Sequence, residues 1–188
     1  MSSTFGTAST SDAPPPSAPP HAILVGLPGA GKSSIGRAVA VRLGRPFLDF
    51  DAEIERREGM TVSELFAAKG EAYFRALECL ITEELRPRSG MVLAPGGGWV
   101  TNPRVVLMLR PPARLVYLRV RPETALRRLG HKRSIRPLLT QPDPLGELRR
   151  LLERRQLAYE AADHVIDTER LDRKALIETV AQLVASVK

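Results

Sequence analysis

Residues 26–33 read Gly-Leu-Pro-Gly-Ala-Gly-Lys-Ser, and this stretch decides the fold. It matches the phosphate-binding loop pattern G-x-x-x-x-G-K-[ST] at every fixed position. Its glycines let the backbone bend tightly and turn N–H groups toward a phosphate, and a following helix adds its positive N-terminal end. An apolar run at 21–25 precedes the loop and a helical pattern follows it. The sequence therefore predicts that the chain binds a nucleoside triphosphate.

The residue types inside the loop indicate how it would hold that nucleotide. The Lys32 side chain is long enough to reach the β- and γ-phosphates, and the Ser33 hydroxyl is a ligand that Mg²⁺ accepts. The predicted nucleotide-binding residues of the loop are Gly29, Ala30, Gly31, Lys32, Ser33 and Ser34. Because many kinases share this loop, it predicts the binding of ATP without specifying the reaction.

Composition predicts a globular protein with small anionic partners. The 188 residues are 43% hydrophobic and 26% charged, which fits one compact domain. The net charge of +7 favours anionic partners, but there is no zinc-finger spacing, and an aromatic content of 5% offers no stacking platform for nucleic acid. The single cysteine, Cys79, fits a reducing cytosol, and no apolar run approaches the length of a membrane helix. We therefore expect a cytoplasmic protein that binds neither nucleic acid nor a membrane.

The chain divides into a short tail and an α/β region. Residues 1–20 are rich in Ser, Thr, Ala and Pro without Lys or Arg, which is typical of a disordered extension. Residues 21–188 are expected to fold, with strands predicted at 21–25, 46–50, 91–94, 114–120 and 163–167. Helical patterns fall at 32–43, 51–58, 61–68, 71–86, 103–109, 122–129, 144–160 and 172–187. This alternation predicts an α/β fold in which helices cover both faces of a five-stranded parallel sheet.

Ligands of such sheets bind at the carboxyl ends of the strands, and three further candidate sites lie after strands. Asp49-Phe50-Asp51 places two carboxylates on one side, suited to a Mg²⁺ shell and to accepting a proton; an aspartate that only caps the next helix is the alternative. Gly96-Gly97-Gly98 lets a ligand approach the backbone closely, or forms only a flexible turn. The basic segment 127–137 is either a lid over the phosphates or a solvated face.

Taken in order, these motifs resemble those of shikimate kinases. The resemblance extends to Gly70-Glu71-Ala72-Tyr73-Phe74-Arg75, Arg136-Pro137-Leu138-Leu139 and Arg155-Gln156-Leu157-Ala158-Tyr159, and it spans about residues 21–170. It implies a three-layer α/β/α fold like that of phosphate-loop nucleoside monophosphate kinases, with substrate-binding helices at about 51–86 and a lid at about 128–141. It also implies that a monomer transfers phosphate from ATP, with Mg²⁺, to the 3-hydroxyl of shikimate.

The resemblance assigns the substrate to four positions. Asp51 would bind the substrate hydroxyls and act as the base or position it. Arg75 and Arg155 would pair with the shikimate carboxylate, and Gly97 would supply a backbone contact. Arginine suits this task because its rigid fork matches the two carboxylate oxygens.

The resemblance assigns the nucleotide and the metal to a second set of residues. Arg136 in the lid would contact the nucleotide and the transferring phosphate, so Lys32, Asp51 and Arg136 are the implied catalytic residues. Ser33 would hold Mg²⁺ together with Asp49, the latter through the water shell of the metal. Arg170 would stack on adenine.

The chain departs from the family pattern at a few positions. Pro95 stands before the triple glycine, where it removes an N–H donor, and Trp99 follows the glycines in place of a smaller apolar residue. Trp99 either lines the site or packs inside the protein. The lid carries an unusual Gly130-His131-Lys132-Arg133 upstream of Arg136, and Arg128 is a further candidate for a nucleotide contact.

Two other functions are compatible with the phosphate loop. A different small-molecule kinase of the same architecture, such as a gluconate kinase, should lack the paired Arg75 and Arg155. A noncatalytic relative that binds ligand should have lost Lys32, Asp51 or Arg136, and all three are present. The motifs thus favour an active shikimate kinase.

Overall fold

The computed structural model of the protein describes residues 19–130 and 142–185. Its strands are β1 (Ala22–Val25), β2 (Phe47–Asp49), β3 (Val92–Ala94), β4 (Arg114–Arg119) and β5 (His164–Asp167). Its α-helices are α1 (Lys32–Leu43), α2 (Phe50–Glu58), α3 (Val62–Leu85), α4 (Pro103–Leu109), α5 (Pro122–Leu129), α6 (Pro144–Glu160) and α7 (Arg173–Ala185), and a 3₁₀ turn spans Trp99–Thr101. Each predicted strand and helix is present within a few residues of its predicted bounds.

Two predictions fall outside the described residues. Of the predicted extension at 1–20, only Pro19 and Pro20 are described. Of the predicted lid at 128–141, residues 131–141 lie outside, and Arg136 with them. Both assignments stay predictions.

All five strands run parallel in the order β2-β3-β1-β4-β5. The central strand β1 is buried along its whole length, because helices cover both faces of the sheet. The predicted three-layer α/β/α fold with a five-stranded parallel sheet is therefore confirmed. From β1 the chain first crosses to the edge strand β2 and returns to β3, and later crosses to β4 on the other side of β1, so a crevice opens at the carboxyl end of β1, where the phosphate loop lies.

Gly70 kinks the segment Val62–Leu85 into two helical arms, as the sequence predicts. A capping box fixes the start of α3: the Glu64 N–H donates to the Thr61 hydroxyl, and the Thr61 N–H donates to the Glu64 carboxylate. At Gly70 the backbone adopts φ 77° and ψ 172°, a conformation that other L residues rarely adopt. The predicted segments 61–68 and 71–86 are the two arms of this bent helix, and the second arm carries Arg75.

No helix within 19–130 or 142–185 is long and apolar enough to cross a membrane. The longest one, α3, carries charged residues along its length. This agrees with the absence of a long apolar run in the sequence.

His21 lies buried just before β1, where its ring joins two backbone segments. The Met91 N–H donates to Nδ1 at 3.2 Å, and Nε2 donates to the Leu85 carbonyl oxygen at 3.4 Å. The neutral ring alone can make both bonds. Burial lowers the pKa of His21 below its ordinary value.

We expect the free energy of unfolding to fall as the pH drops below about 6.5, the pKa of histidine in an unfolded chain. Because burial holds the folded-state pKa of His21 below that value, the unfolded chain takes up the proton first. The stabilisation is therefore fully present above the unfolded pKa and is lost as the pH falls. Denaturant titrations between about pH 5 and pH 8 should show a shallower pH dependence in His21→Gln than in the wild type. His164→Gln is the control, and an unchanged slope in His21→Gln would contradict this expectation.

Candidate active site

A cavity of about 410 Å³ opens at the carboxyl ends of β1 and β3. Residues 29–34 of the phosphate loop form one wall, and Asp49 and Asp51 lie on another. Arg128, Thr168 and Arg173 form a third wall. The structure therefore brings the phosphate loop and the two predicted carboxylates into one cavity, as the order of strand ends predicts.

The phosphate loop holds its lysine over the loop backbone. Lys32 Nζ donates to the carbonyl oxygens of Gly26 at 3.0 Å and Leu27 at 3.2 Å. The loop itself packs against the other half of the sheet, since the backbone of Gly26 lies against Leu118 and that of Gly29 against Ala125. β4 and α5 thus fix the position of the loop, and the ammonium group stays at the cavity.

Asp49 combines the two roles that the sequence leaves open. Its Oδ1 accepts the Ala52 N–H at 3.3 Å, which caps α2, and its side chain also lines the cavity. Asp51 lies two residues further on, in the first turn of α2. Its Oδ1 is 3.6 Å from the point where a Cβ on Gly96 would stand, so Asp51 also reaches the triple-glycine turn.

The ligand chemistry of the cavity fits Mg²⁺ held largely by a nucleotide. The Ser33 hydroxyl and the Asp49 carboxylate are hard oxygen ligands on the same cavity. Within the described part of the chain no group of three or more His, Cys, Asp or Glu side chains could hold a metal by itself. A site of one hydroxyl and one carboxylate is typical of Mg²⁺ that is also bound by phosphates and water.

Beside this cavity lies a second group of residues, which we call the arginine–glycine cluster. Its members are Arg75, Glu78, Gly96–Gly98, Arg155 and Tyr159. They come from α3, from the turn after β3 and from α6. Asp51 connects the cluster to the phosphate-loop cavity, because it lines the cavity and approaches Gly96.

Two glutamates hold Arg75 in the cluster. Its Nη1 donates to Glu78 at 2.6 Å, and its Nη2 donates to Glu71 at 2.8 Å. The Glu78 side chain is only 3% exposed. Burial raises the pKa of Glu78, the Arg75 charge opposes that rise, and the Asp51 charge adds to it. The sequence motifs do not single out Glu78. The one feature that could have indicated it is its spacing of three residues from Arg75, which puts both side chains on one face of α3.

Arg155 and Tyr159 reach the turn from the opposite side. Arg155 is 9% exposed, and its Nη1 lies 3.1 Å from where a Cβ on Gly97 would stand. The Tyr159 hydroxyl donates to the Gly97 carbonyl oxygen at 2.7 Å, and its ring stacks on Tyr117 at 4.9 Å between centroids. The spacing of four residues in Arg155…Tyr159 therefore places both side chains on one face of α6.

The triple glycine leaves room for the side chains packed on it. A Cβ on Gly96 would stand 2.5 Å from Glu78 Oε1, and one on Gly98 would stand 2.5 Å from Arg75 Nη2. No real Cβ tolerates such contacts, so any larger residue would displace the charged groups. The turn serves as the surface on which the cluster is assembled, which favours a functional role over a merely flexible turn.

The candidate arginines of the nucleotide side lie in different places. Arg170 lies outside the phosphate-loop cavity: its side chain is 83% exposed and pairs with Asp167 at 3.4 Å. Arg128 does line the cavity and donates to the Thr168 hydroxyl at 2.8 Å, and Arg173 lines it too. Arg128 and Arg173 thus lie on the phosphate-loop cavity and Arg170 does not, and the nucleotide-binding role of Arg170 stays a prediction.

Fold and site together define a class of protein, the phosphate-loop kinases that act on small molecules. A family model described as shikimate kinase matches residues 28–185. The chain belongs to the shikimate kinase family. The family expected from the sequence motifs is confirmed.

Individual relatives agree with this assignment. A shikimate kinase from Pelotomaculum thermopropionicum is 37% identical over 158 residues, which covers 84% of this chain and 91% of the relative. The structure is similar to that of a shikimate kinase from Acinetobacter baumannii in complex with shikimate, with a TM-score of 0.83 and 38% identity over 90% of this chain and 94% of the other. A gluconokinase from Sinorhizobium meliloti has a TM-score of 0.56 and 19% identity, over 89% of this chain and 94% of the other. That similarity shows a shared fold alone.

Proposed function

We propose that this protein phosphorylates the 3-hydroxyl of shikimate with ATP, giving shikimate 3-phosphate and ADP. The position of Asp51 is the observation that carries the proposal. Asp51 lies between the phosphate-loop cavity and the arginine–glycine cluster, at the place where a substrate hydroxyl would meet the γ-phosphate. Family membership and the shikimate bound to the Acinetobacter baumannii enzyme support the choice of acceptor.

The charges of the cluster suit a compact acid with hydroxyl groups. Arg75 and Arg155 would bind the shikimate carboxylate from two helices, α3 and α6, which fixes the ring from both sides. The hydrogen bonds from Arg75 to Glu71 and Glu78 keep its guanidinium in place before the substrate arrives. Gly97 would contribute its backbone, since the bare turn leaves room for the ring to approach.

Phosphoryl transfer then requires one proton acceptor and several positive charges. The 3-hydroxyl oxygen forms a bond to the γ-phosphorus, the bond from that phosphorus to ADP breaks, and the hydroxyl proton passes to Asp51. Lys32 stabilises negative charge on the phosphates. Mg²⁺, held by Ser33 and through water by Asp49, would neutralise further charge when it is bound with the nucleotide. Arg136, which lies outside the described residues, would add its charge from the lid.

We also propose that the enzyme acts as a monomer in the cytoplasm. All members of the arginine–glycine cluster and of the phosphate-loop cavity come from one chain, so the site needs no second copy. Sedimentation analysis at assay concentration tests the first statement. A dimer at that concentration would contradict it.

We expect Arg155→Ala to weaken shikimate binding while ATP binding stays as in the wild type. Loss of a charge-assisted hydrogen bond costs about 1.5–3 kcal/mol, so the dissociation constant should rise roughly 10- to 150-fold. Arg75→Ala should have a similar effect on binding but also lower stability, because it leaves the buried Glu78 without its partner. Calorimetric titration with shikimate measures the effect in each variant.

Arg154→Ala is the matched control for this prediction. Arg154 precedes Arg155 on α6 but is exposed and pairs with Glu147 at 3.1 Å, away from the glycine turn. Its removal should leave shikimate affinity as in the wild type. Wild-type affinity in both Arg75→Ala and Arg155→Ala would rule out the carboxylate clamp.

An ADP-release assay with a panel of acceptors tests the proposed function. Purified protein is incubated with ATP and Mg²⁺ and with shikimate, quinate or gluconate in separate reactions. We expect rapid ADP release with shikimate and little with the other two. ADP release that depends on gluconate would favour the alternative kinase, and no acceptor-dependent release with any of the three would favour a noncatalytic binding protein.

A further inference from the structure

We propose that Trp99 is a positioning residue that holds the arginine–glycine cluster in register with Asp51. The inference rests on the proposed function, because the cluster is taken as the acceptor site. Trp99 is 1% exposed and does not line the phosphate-loop cavity, so it acts through its neighbours. Three of its contacts reach three separate elements of the site.

The first contact is within the turn itself. Trp99 begins the 3₁₀ turn immediately after Gly98, and its backbone N–H donates to the Gly96 carbonyl oxygen at 3.0 Å. This bond closes the triple-glycine turn into a compact loop. The indole is therefore attached directly to the backbone on which Arg75 and Arg155 pack.

The second contact ties the turn to α3. The indole Nε1–H donates to the Thr82 hydroxyl at 2.9 Å, and that hydroxyl donates to the Glu78 carbonyl oxygen at 2.7 Å. Both Trp99 and Thr82 are buried, so this pair of hydrogen bonds is shielded from water. Thr82 lies one helical turn after Glu78, the partner of Arg75. These two hydrogen bonds therefore fix the part of α3 that carries Glu78.

The third contact reaches Phe50, the residue between the two aspartates. The Trp99 ring meets Phe50 edge to face, with 6.5 Å between centroids and 77° between planes. Phe50 is fully buried and stands between Asp49 and Asp51 in the chain. One residue thus contacts the turn through its backbone, and α3 and the start of α2 through its side chain.

The contacts that hold the nucleotide side lie mainly elsewhere, and the Gly26 carbonyl oxygen approaches the turn at 3.1 Å from where a Cβ on Gly97 would stand. The phosphate loop packs on the backbone of Leu118 and Ala125, in β4 and α5. A change at Trp99 should therefore affect shikimate more than ATP. Damage to the structure alone would instead lower stability without changing the KM for shikimate more than the KM for ATP.

The experiment compares Trp99→Phe, which keeps an aromatic ring but lacks the N–H, with Thr82→Val, which replaces the hydroxyl by a methyl group. We expect each to raise the KM for shikimate roughly three- to tenfold, the range of one net hydrogen bond, with the KM for ATP unchanged. The double variant should be no worse than the more affected single variant, because both remove the same bond. Thr82→Ser, which keeps the hydroxyl, should restore the wild-type KM.

Val180→Ala is the control for loss of stability alone. Val180 is fully buried in α7 and does not itself line the phosphate-loop cavity. This variant should be destabilised while both KM values stay as in the wild type. An unchanged KM for shikimate in Trp99→Phe and Thr82→Val, an equal rise in both KM values, or additive effects in the double variant would overturn the inference.

A second measurement separates this inference from the proposed function. Hydrogen exchange at the amides of positions 99, 101 and 102, which donate within the turn, needs no substrate. Exchange there should accelerate roughly three- to tenfold in Trp99→Phe and Thr82→Val, while exchange in α7 stays unchanged. In Val180→Ala, exchange should accelerate in α7 and stay unchanged in the turn. If the wild type does not phosphorylate shikimate, the proposed function fails, and faster exchange confined to the turn still supports the positioning role. Wild-type exchange in the turn of both variants would contradict it.

Discussion

Asp51→Asn should lower kcat by roughly 10²- to 10⁴-fold, the usual contribution of a positioned proton acceptor. Asparagine has nearly the same shape, but its amide cannot take the proton from the 3-hydroxyl. The nearby Asp51 charge also bears on the cluster, since it adds to the raised pKa of the buried Glu78. Steady-state turnover with saturating ATP and shikimate measures the loss.

The fold of this variant should persist. Removing the Asp51 charge relieves its repulsion with Glu78 but loses a favourable charge in the first turn of α2, and these small effects oppose each other. Thermal unfolding should therefore give nearly the wild-type midpoint. Asp143→Asn is the control, because Asp143 caps α6 with a bond to the Gly146 N–H that asparagine can also make. Near wild-type turnover in Asp51→Asn would show that another group accepts the proton.

Lys32→Met should lower kcat by roughly 10²- to 10³-fold and weaken ATP binding, because a fixed positive charge at the transferring phosphate is lost. The methionine side chain keeps much of the apolar stem. It also removes the donor to the carbonyl oxygens of Gly26 and Leu27, which loosens the loop around the missing charge. Turnover and the binding of a fluorescent ATP analogue measure the two effects.

The shikimate affinity of Lys32→Met distinguishes the loss of this one charge from general damage to the protein. The arginine–glycine cluster draws its residues from α3, α6 and the turn after β3, so Lys32→Met should bind shikimate as the wild type does in the absence of nucleotide. Lys174→Met, an exposed position on α7, is the control and should keep wild-type turnover. Unchanged turnover in Lys32→Met, or the loss of shikimate binding together with ATP binding, would contradict the assignment.

The fold could be predicted from the sequence because its local signals agree with its packing. Buried apolar runs alternate with helical patterns in the order that a parallel sheet needs, and a glycine loop follows the first run. Caps such as Thr61 and Asp49 mark helix starts. The kink at Gly70 separates the two helices predicted at 61–68 and 71–86, because glycine can adopt the non-helical backbone that the kink needs.

Residues of the site could be predicted only where a chemically suited side chain lies within a recognisable sequence motif. Asp49, Asp51 and the loop residues lie on one cavity because strand ends converge there. Glu78 was missed because a glutamate inside a charged helix looks like a solvated residue until its burial against Gly96 is seen. Trp99 was left between two roles, and the structure places it in the interior.

The arginines illustrate a further limit. Local sequence gives no distance between a side chain and a cavity that other elements form, so Arg128 and Arg170 could not be ranked for the nucleotide side. In the fold, Arg128 faces the phosphate-loop cavity and Arg170 pairs with Asp167 at the surface. Their ranking depends on how α5 and the turn after β5 pack together.

The central claim is that the phosphate loop and the arginine–glycine cluster form one site that joins the γ-phosphate to the 3-hydroxyl of shikimate. The most direct measurement is a ¹H–³¹P correlation spectrum of the product formed by the wild-type enzyme from ATP, Mg²⁺ and shikimate. We predict a correlation between the new phosphorus signal and the proton on carbon 3 of the shikimate ring. Phosphorus coupled to a proton on another ring carbon, or no phosphorylated shikimate at all, would contradict this account.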